Sequence, residues 1–202
     1  MTEDKLKLQL KSRTGCDEFL RVGQFVPSSG VNGPGRRAVI WVQGCTLDCP
    51  GCFNPSFQPL RGGWNISCSD LFRRLVSLQD EIEGITLSGG EPLQQPEPLL
   101  ALLGRIRQES TLSVLLFSGF TRQEIERQRP AKECLAYVDV LIAGRYESSQ
   151  HLARGLRGSA NQEIYFLSDR YTISDLQGVA STELFITPAG ELMISGIDPI
   201  GW

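Results

Sequence analysis

The chain has 202 residues, 41% of them hydrophobic, and a formal net charge of −3, which is enough for one compact domain with a full-sized core. A slightly acidic chain has no positive surface for phosphate backbones, so nucleic-acid binding is not expected. No apolar run approaches the roughly 20 residues of a membrane helix, and the first residues do not resemble a secretory signal. We therefore predict a cytoplasmic protein that binds neither membranes nor nucleic acid.

The amino-terminal half is predicted to contain strands, a glycine-rich loop and a first helix. Residues 5–11 alternate apolar and polar side chains, several of them lysines, which is typical of an exposed edge strand. A loop over 30–35 leads into a buried strand over 38–43. Ser67 is predicted to cap a helix with Asp70 three residues on. The buried stripe of that helix is predicted to be Leu71, Leu75 and Leu78.

The remaining chain alternates predicted strands with predicted helices. Strands are predicted over 84–88, 112–117, 138–142 and 164–167. One helix is predicted over 121–128, and another follows Pro96 and Pro98 because its apolar residues have helical spacing. The buried residues of that second helix are predicted to be Leu99, Leu102, Leu103 and Ile106. Residues 183–187 and 191–195 flank a Pro-Ala-Gly turn and predict a terminal hairpin.

This alternation predicts an α/β fold with a mostly parallel sheet and flanking helices. An amino-terminal edge strand and a carboxy-terminal β-hairpin complete the predicted fold. We expect a single domain over 1–202, with an amino-terminal extension over 1–30, a core over 36–170 and the hairpin over 180–202.

Three cysteines lie close together directly after the predicted strand over 38–43. Their spacing is Cys45-x3-Cys49-x2-Cys52, which brings three thiolates within reach of one small inorganic cluster and offers no obvious fourth. Four thiolates close an iron–sulfur or zinc site, whereas three leave one metal position open for another ligand. The pattern therefore indicates a metal centre that carries out chemistry.

A second motif stands at the end of the strand predicted over 84–88, where the chain reads Gly89-Gly90-Glu91-Pro92. Two glycines let main-chain groups approach a ligand closely, because no Cβ stands in the way. The proline then ends the strand and removes one donor. Alone, this tetrapeptide indicates a turn, but together with the cysteines it indicates a ligand site.

With these two motifs the chain resembles the radical S-adenosylmethionine superfamily, most closely the activating proteins of anaerobic ribonucleotide reductase. The likeness covers most of the chain from about residue 19, and its matching segments are 31–36, 44–45, 49–55, 87–93, 117–121, 138–142 and 157–162. The strands are too few for a closed eight-stranded barrel. The resemblance implies a partial, open (βα) barrel instead, with ligands at the carboxyl ends of the strands.

The resemblance also implies the cofactors and the partner. Cys45, Cys49 and Cys52 would each bind one iron of a [4Fe-4S] cluster, and S-adenosylmethionine would chelate the fourth iron. One electron would then give a 5′-deoxyadenosyl radical, which takes the Cα hydrogen from a glycine of a partner reductase. Flavodoxin or ferredoxin is the implied electron donor.

The implied cosubstrate contacts come from four short segments, and no residue is assigned acid–base catalysis. They are Gly51 and Phe53 near the adenine, Gly89, Gly90 and Glu91 near the methionine end, and Ser118 with Gly119 on the ribose or methionine side.

Other interpretations of single residues stay open. A structural zinc site would need a fourth ligand from Cys16, Cys68, Cys134 or His151, although we expect these cysteines to be small buried residues and the histidine to be solvated. Trp41 is expected in the core. Arg36 and Arg37 could bind a carboxylate or form a surface pair.

The substrate is also open, because Ala143-Gly144 stands where family members often have Asp-Gly. One alternative is a radical enzyme that modifies a peptide or a small molecule such as a deazapurine precursor. Another is a non-catalytic zinc or iron–sulfur module.

Overall fold

The computed structural model describes residues 18–186, 190 and 192–197, and its centre is a seven-stranded sheet. The strands, in chain order, are β1 (Phe19–Ser29), β2 (Arg37–Val42), β3 (Trp64–Ser67), β4 (Gly84–Gly89), β5 (Ser113–Ser118), β6 (Val140–Ala143), β7 (His151–Arg154), β8 (Arg157–Ser159), β9 (Glu163–Phe166), β10 (Thr182–Ile186) and β11 (Leu192–Gly196). The order in the sheet is β3-β1-β2-β4-β5-β6-β9.

The four central strands β2, β4, β5 and β6 run parallel. Their residues are mostly buried and largely apolar, as expected for parallel strands covered on both faces. The predicted α/β class with a mostly parallel central sheet is therefore confirmed. The strand predicted over 164–167 exists as β9, but it pairs antiparallel with β6 and closes that edge of the sheet.

The amino-terminal edge differs from the prediction. Residues 5–11, predicted as an edge strand, lie outside the described residues. Residues 19–29, placed in an amino-terminal extension, form the long strand β1, which pairs antiparallel with both β2 and β3. Two register shifts interrupt β1 around Gly23 and Pro27, so it has no continuous period-two pattern for sequence analysis to find.

The helices are α1 (Cys68–Val76), α2 (Pro96–Glu109), α3 (Arg122–Arg127), α4 (Arg129–Cys134) and α5 (Ile173–Gln177). The predicted cap of α1 is confirmed, because the Asp70 N–H donates to Ser67 Oγ over 3.0 Å. The predicted apolar stripe of α2 is fully buried. Helix α3 begins with a capping box between Thr121 and Glu124, which satisfies two end groups at once. Within the described residues, no helix has the length and apolar character to cross a bilayer.

Arg37, at the start of β2, corrects the sequence analysis. It is fully buried, so it is neither half of a surface pair nor a carboxylate site. Its guanidinium donates to hydroxyls and carbonyls at the amino ends of β4 and β5. Arg36 is exposed and donates to Ser28 Oγ over 2.8 Å. The amino ends of the sheet are thus held together by a buried cation, and the carboxyl ends are left to form a cavity.

The predicted carboxy-terminal hairpin is confirmed as the antiparallel pair β10–β11, although its turn residues 187–189 and 191 lie outside the description. Phe185 and Met193 of this hairpin pack against Val26, Val39 and Trp41 of β1 and β2. Trp41 is buried as expected, and it also lines the cavity.

Candidate metal centre and ligand cavity

A cavity of about 380 Å³ lies at the carboxyl ends of the parallel strands. This volume falls within the roughly 300–1,000 Å³ range of small-molecule sites. Carboxyl ends of strands are where α/β sheets bind ligands. Every cosubstrate or metal residue implied by the resemblance, Gly51 excepted, lines this cavity: Cys45, Cys49, Cys52, Phe53, Gly89, Gly90, Glu91, Ser118 and Gly119.

The three cysteines lie on the loop that follows β2, and the protein itself fastens both ends of this loop. The Gly44 N–H donates to the Phe57 carbonyl over 2.8 Å, and the Cys45 N–H donates to the Gln58 carbonyl over 2.9 Å. Inside the loop, the Cys52 N–H donates to the Cys49 carbonyl over 3.1 Å. Gly51 has a positive φ of 70° in that turn, a conformation that glycine adopts without steric cost.

Backbone N–H groups point at the cysteine sulfurs. Leu47 donates to Cys45 Sγ and Asn54 donates to Cys52 Sγ, each over 3.4 Å. The backbone of Tyr146, on the segment after β6, lies close enough to Cys49 to lower the pKa of its thiol. Such donors stabilise a thiolate and raise the potential of a cluster bound to it.

Burial raises the pKa of Cys45, and the Leu47 N–H acts in the opposite direction. Burial also raises the pKa of Cys49, as does the charge of Cys52, whereas the Tyr146 N–H and Arg145 lower it. These thiols hold their protons in the metal-free protein, so metal binding must release protons.

The donor set fits a cluster better than a single ion. Cys45, Cys49 and Cys52 are all free thiols at the cavity wall. Across the described ranges, no group of three or more His, Cys, Asp or Glu side chains converges on one metal position. A cubane does not require such convergence, because each cysteine binds a different iron.

The other candidate zinc ligands lie elsewhere or outside the description. Cys134 is buried in α4, where burial raises its pKa to about 12, and Cys68 is buried at the start of α1. His151 is exposed, and its Nδ1 lies 3.2 Å from the Tyr146 hydroxyl. None of the three lines the cavity. Cys16 falls among the residues that the structure does not describe.

The glycines of the second motif allow β4 to approach the cysteine loop. A Cβ on Gly90 would collide with the Gly44 carbonyl, and one on Gly89 would lie 2.6 Å from the Val42 nitrogen. The Gly90 N–H donates to the Val42 carbonyl over 2.8 Å, and the Glu91 N–H donates to that of Gly44 over 2.9 Å. The two motifs are therefore bonded to each other through their backbones, a contact that the sequence did not predict.

Glu91 is fully buried and joins the ends of β4 and β5. Its carboxylate accepts from the Leu93 N–H (2.9 Å), from Ser118 Oγ (2.9 Å) and from the Gly119 N–H (2.7 Å). Burial raises its pKa to about 7, although these three donors act in the opposite direction. The side chains of Glu91 and Ser118 are thus already bonded to each other within the cavity wall.

Sequence analysis missed the wall on the far side of the cysteines. Tyr146 packs edge-on against Phe53 with ring centroids 5.6 Å apart, so it covers the turn that contains Cys52. Arg145 beside it forms a two-pronged ion pair with Glu124, over 2.8 and 3.0 Å. Gln162 completes this wall, because its amide donates to the Gly144 carbonyl and accepts from the Gly158 N–H.

Ala143, at the position where the resemblance implies an aspartate, is buried in the main hydrophobic core. The following Gly144 donates its N–H to the Ser118 carbonyl over 3.0 Å. The strand end is thus closed by apolar packing and backbone bonds rather than by a carboxylate.

Three free cysteines on one cavity at the carboxyl ends of a parallel sheet fit the class of iron–sulfur proteins. Residues 31–165 match the family model described as a 4Fe-4S single cluster domain. This segment is more than half of the chain, which therefore belongs to that family.

Curated relatives are similar along nearly their whole length. The chain is 34% identical over 151 residues to the anaerobic ribonucleoside-triphosphate reductase-activating protein of Vibrio cholerae. The aligned region covers 70% of this chain and 95% of that protein. The protein of the same name from Enterobacteria phage T4 is 34% identical over 156 residues (72% and 94%). Among solved structures, QueE from Escherichia coli has a TM-score of 0.40 and 15% identity (60% and 58%), a likeness too low to carry an argument.

Proposed function

We propose that this chain is a radical S-adenosylmethionine enzyme that installs a glycyl radical on a partner enzyme, an anaerobic ribonucleoside-triphosphate reductase. The observation that carries the proposal is that three free cysteines and the Gly-Gly-Glu strand end open onto one cavity. The curated relatives, whose names describe reductase activation, support the choice of partner.

Cys45, Cys49 and Cys52 are the proposed ligands of a [4Fe-4S] cluster. A cluster held by these cysteines would pass one electron from the external reductant to S-adenosylmethionine, whose sulfonium C–S bond would break to give methionine and the hydrogen-abstracting 5′-deoxyadenosyl radical. The protein holds the three thiolates on a fastened loop and points backbone N–H groups at their sulfurs. The Phe53–Tyr146 ring pair links the loop to the segment that follows β6.

The proposed cosubstrate site surrounds the open side of the cysteine loop. Gly51 and Phe53 are assigned to the adenine, and Gly89 and Gly90, which line the cavity, to the methionine end. Glu91 and Ser118 complete this site. The Ser118 hydroxyl donates to the Glu91 carboxylate, which also accepts from the Gly119 N–H. We therefore assign both side chains to shaping the cavity as well as to contacting the ligand.

The sheet is proposed to be the open partial barrel of this superfamily, since its parallel strands carry both motifs at their carboxyl ends. An open mouth suits a polypeptide substrate. Flavodoxin or ferredoxin is the proposed electron donor, and the cytoplasm is the proposed compartment.

The test is anaerobic reconstitution with iron and sulfide, followed by addition of dithionite and S-adenosylmethionine. We expect about four irons per chain, 5′-deoxyadenosine formation, and a glycine-centred radical signal when an anaerobic ribonucleotide reductase is added. Cys49→Ala should lose cluster and cleavage together. Cys134→Ala is the matched control, since it removes a thiol outside the cavity and should retain both. Full cleavage by Cys49→Ala, or no deoxyadenosine from the wild-type chain, would refute the proposal.

A further inference from the structure

The carboxy-terminal hairpin lies beyond the family-matched segment 31–165 and presents two different faces. Among the described strands, β10 and β11 pair only with each other. Cross-strand partners share a face of a sheet. Glu183 with Ser195 and Phe185 with Met193 therefore form the inner face, while Leu184 with Ile194 and Ile186 with Leu192 form the outer face.

The inner face is fastened to the rest of the protein. The Glu183 carboxylate accepts from Ser29 Oγ and from the Gly30 N–H, both over 2.9 Å. Asn32 donates to Ser195 Oγ over 2.8 Å. Together with the apolar packing of Phe185 and Met193 on β1 and β2, these bonds hold the hairpin in a fixed position.

Within the part of the chain that the structure describes, the outer face is apolar and largely exposed, with Ile194 half-buried. Leu184 is 54% exposed, Ile186 77% and Leu192 57%. Contiguous apolar surface of this kind marks an interaction site. Residues 182–197 contain two glutamates and no lysine or arginine. An anionic membrane surface attracts basic residues, so this composition favours a protein as the occupant.

The outer face is continuous with the cavity. Residues 193–196 of β11, and Ile197 directly after it, line the same cavity as the three cysteines. Ile194 belongs to both surfaces, because it lines the cavity and is the cross-strand partner of Leu184. A small substrate held inside the cavity would leave the outer face uncovered, whereas a protein that inserts one loop must rest its body on the rim.

We propose that the outer face of the hairpin is the docking surface for the glycine-bearing partner protein, which rests there while its loop enters the cavity. This inference depends on the proposed function and adds a recognition surface to it. The surface belongs to residues outside the family-matched segment, so it would select this chain's own partner.

The test compares the double variant Leu184→Ser/Ile186→Ser with the wild-type chain. Ile173→Ser is the matched control, because Ile173 is 50% exposed but lies on α5, outside the cavity lining. The probe is a purified anaerobic ribonucleotide reductase, and the readout is its half-saturating concentration for glycyl-radical formation. We expect an increase of about tenfold or more for the double variant, because buried apolar anchors dominate protein interfaces. Reductase-independent deoxyadenosine formation should be unchanged in both variants.

The outcomes separate the two proposals. If the wild-type chain gives a radical and the double variant saturates at the same reductase concentration, the docking surface is refuted and the proposed function stands. If deoxyadenosine forms but the wild-type chain produces no glycyl radical on the reductase, the proposed function and the docking surface are both refuted. A wild-type dimer in sedimentation that the double variant abolishes would assign the face to a second copy and overturn the inference. Leu192→Glu, on the neighbouring strand, provides an independent variant if the double variant fails to fold.

Discussion

Replacing Arg37 with alanine tests whether a buried cation holds the amino ends of the sheet together. Its guanidinium makes six hydrogen bonds, the shortest of them 2.6 Å to the Ile85 carbonyl. One acceptor is the hydroxyl of Tyr171, which in turn donates to Glu83. Burial lowers the pKa of Arg37, and Tyr171 and Glu83 oppose that effect. Among the residues that the structure describes, no carboxylate touches the guanidinium directly, so the charge depends on neutral acceptors.

The expected loss of stability is large because every partner of Arg37 is also buried or half-buried. Removing one member of a buried charged network costs about 3–5 kcal/mol, since the remaining polar groups stay desolvated without partners. For a chain of this size, each kcal/mol shifts the melting temperature by about 2–4 °C. We therefore expect a decrease of about 6–20 °C.

The assay is thermal unfolding of the metal-free protein, followed by circular dichroism. Arg36→Ala is the matched control, because this neighbouring side chain is exposed and should change stability by at most about 0.5 kcal/mol. Cluster loading of the Arg37 variant at low temperature should match that of the wild-type chain, since Arg37 lies at the opposite end of the sheet from the cysteines. Equal melting temperatures for the two alanine variants would refute the reasoning.

Two further predictions concern the wall of the cavity. Because the folded-state pKa of Glu91 is raised to about 7 from 4.5, the folded metal-free protein retains a proton that the unfolded chain loses. Stability should therefore fall by about 3 kcal/mol as the pH rises from about 4.5 through 7; urea unfolding of Glu91→Gln should lack this slope, and an unchanged slope would contradict the assignment. Gly90→Ala should destabilise the protein by more than about 1 kcal/mol, because its Cβ meets the Gly44 backbone. Gly104→Ala, in an open helix position, should instead stabilise it by up to about 1 kcal/mol, and the same sign for both variants in thermal unfolding would argue against the close approach.

Sequence patterns predicted the parts of the fold that repeat with a regular period. The stripe from Leu99 to Ile106, the cap at Ser67 and the hairpin near the carboxyl end depend on local spacing, and each is confirmed. The cysteine triplet could also be recognised from the sequence, because a short loop needs few residues to define its geometry. Its placement beside the Gly-Gly-Glu strand end followed from a general property of parallel sheets.

Long-range contacts could not be predicted in this way. Arg37 looks like its neighbour Arg36 in the sequence, and only the sheet order shows that one is enclosed by β4 and β5 while the other is exposed. Tyr146 lies almost 100 residues from Phe53 in the chain, and no local pattern indicates that the two rings pack against each other. The bulged strand β1 was missed because its irregular register destroys the alternation that identifies strands.

The fastened cysteine loop has a consequence for the life of the protein in the cell. In a zinc finger the ion drives folding, and the chain unfolds when the ion leaves. Here the bonds from Gly44 to Phe57 and from Cys45 to Gln58 join the two ends of the loop through backbone groups that are not metal ligands. Loss of the cluster on brief exposure to oxygen should therefore leave the protein folded. A new cluster could then be inserted into the same loop, and the chain would not be degraded as an unfolded protein.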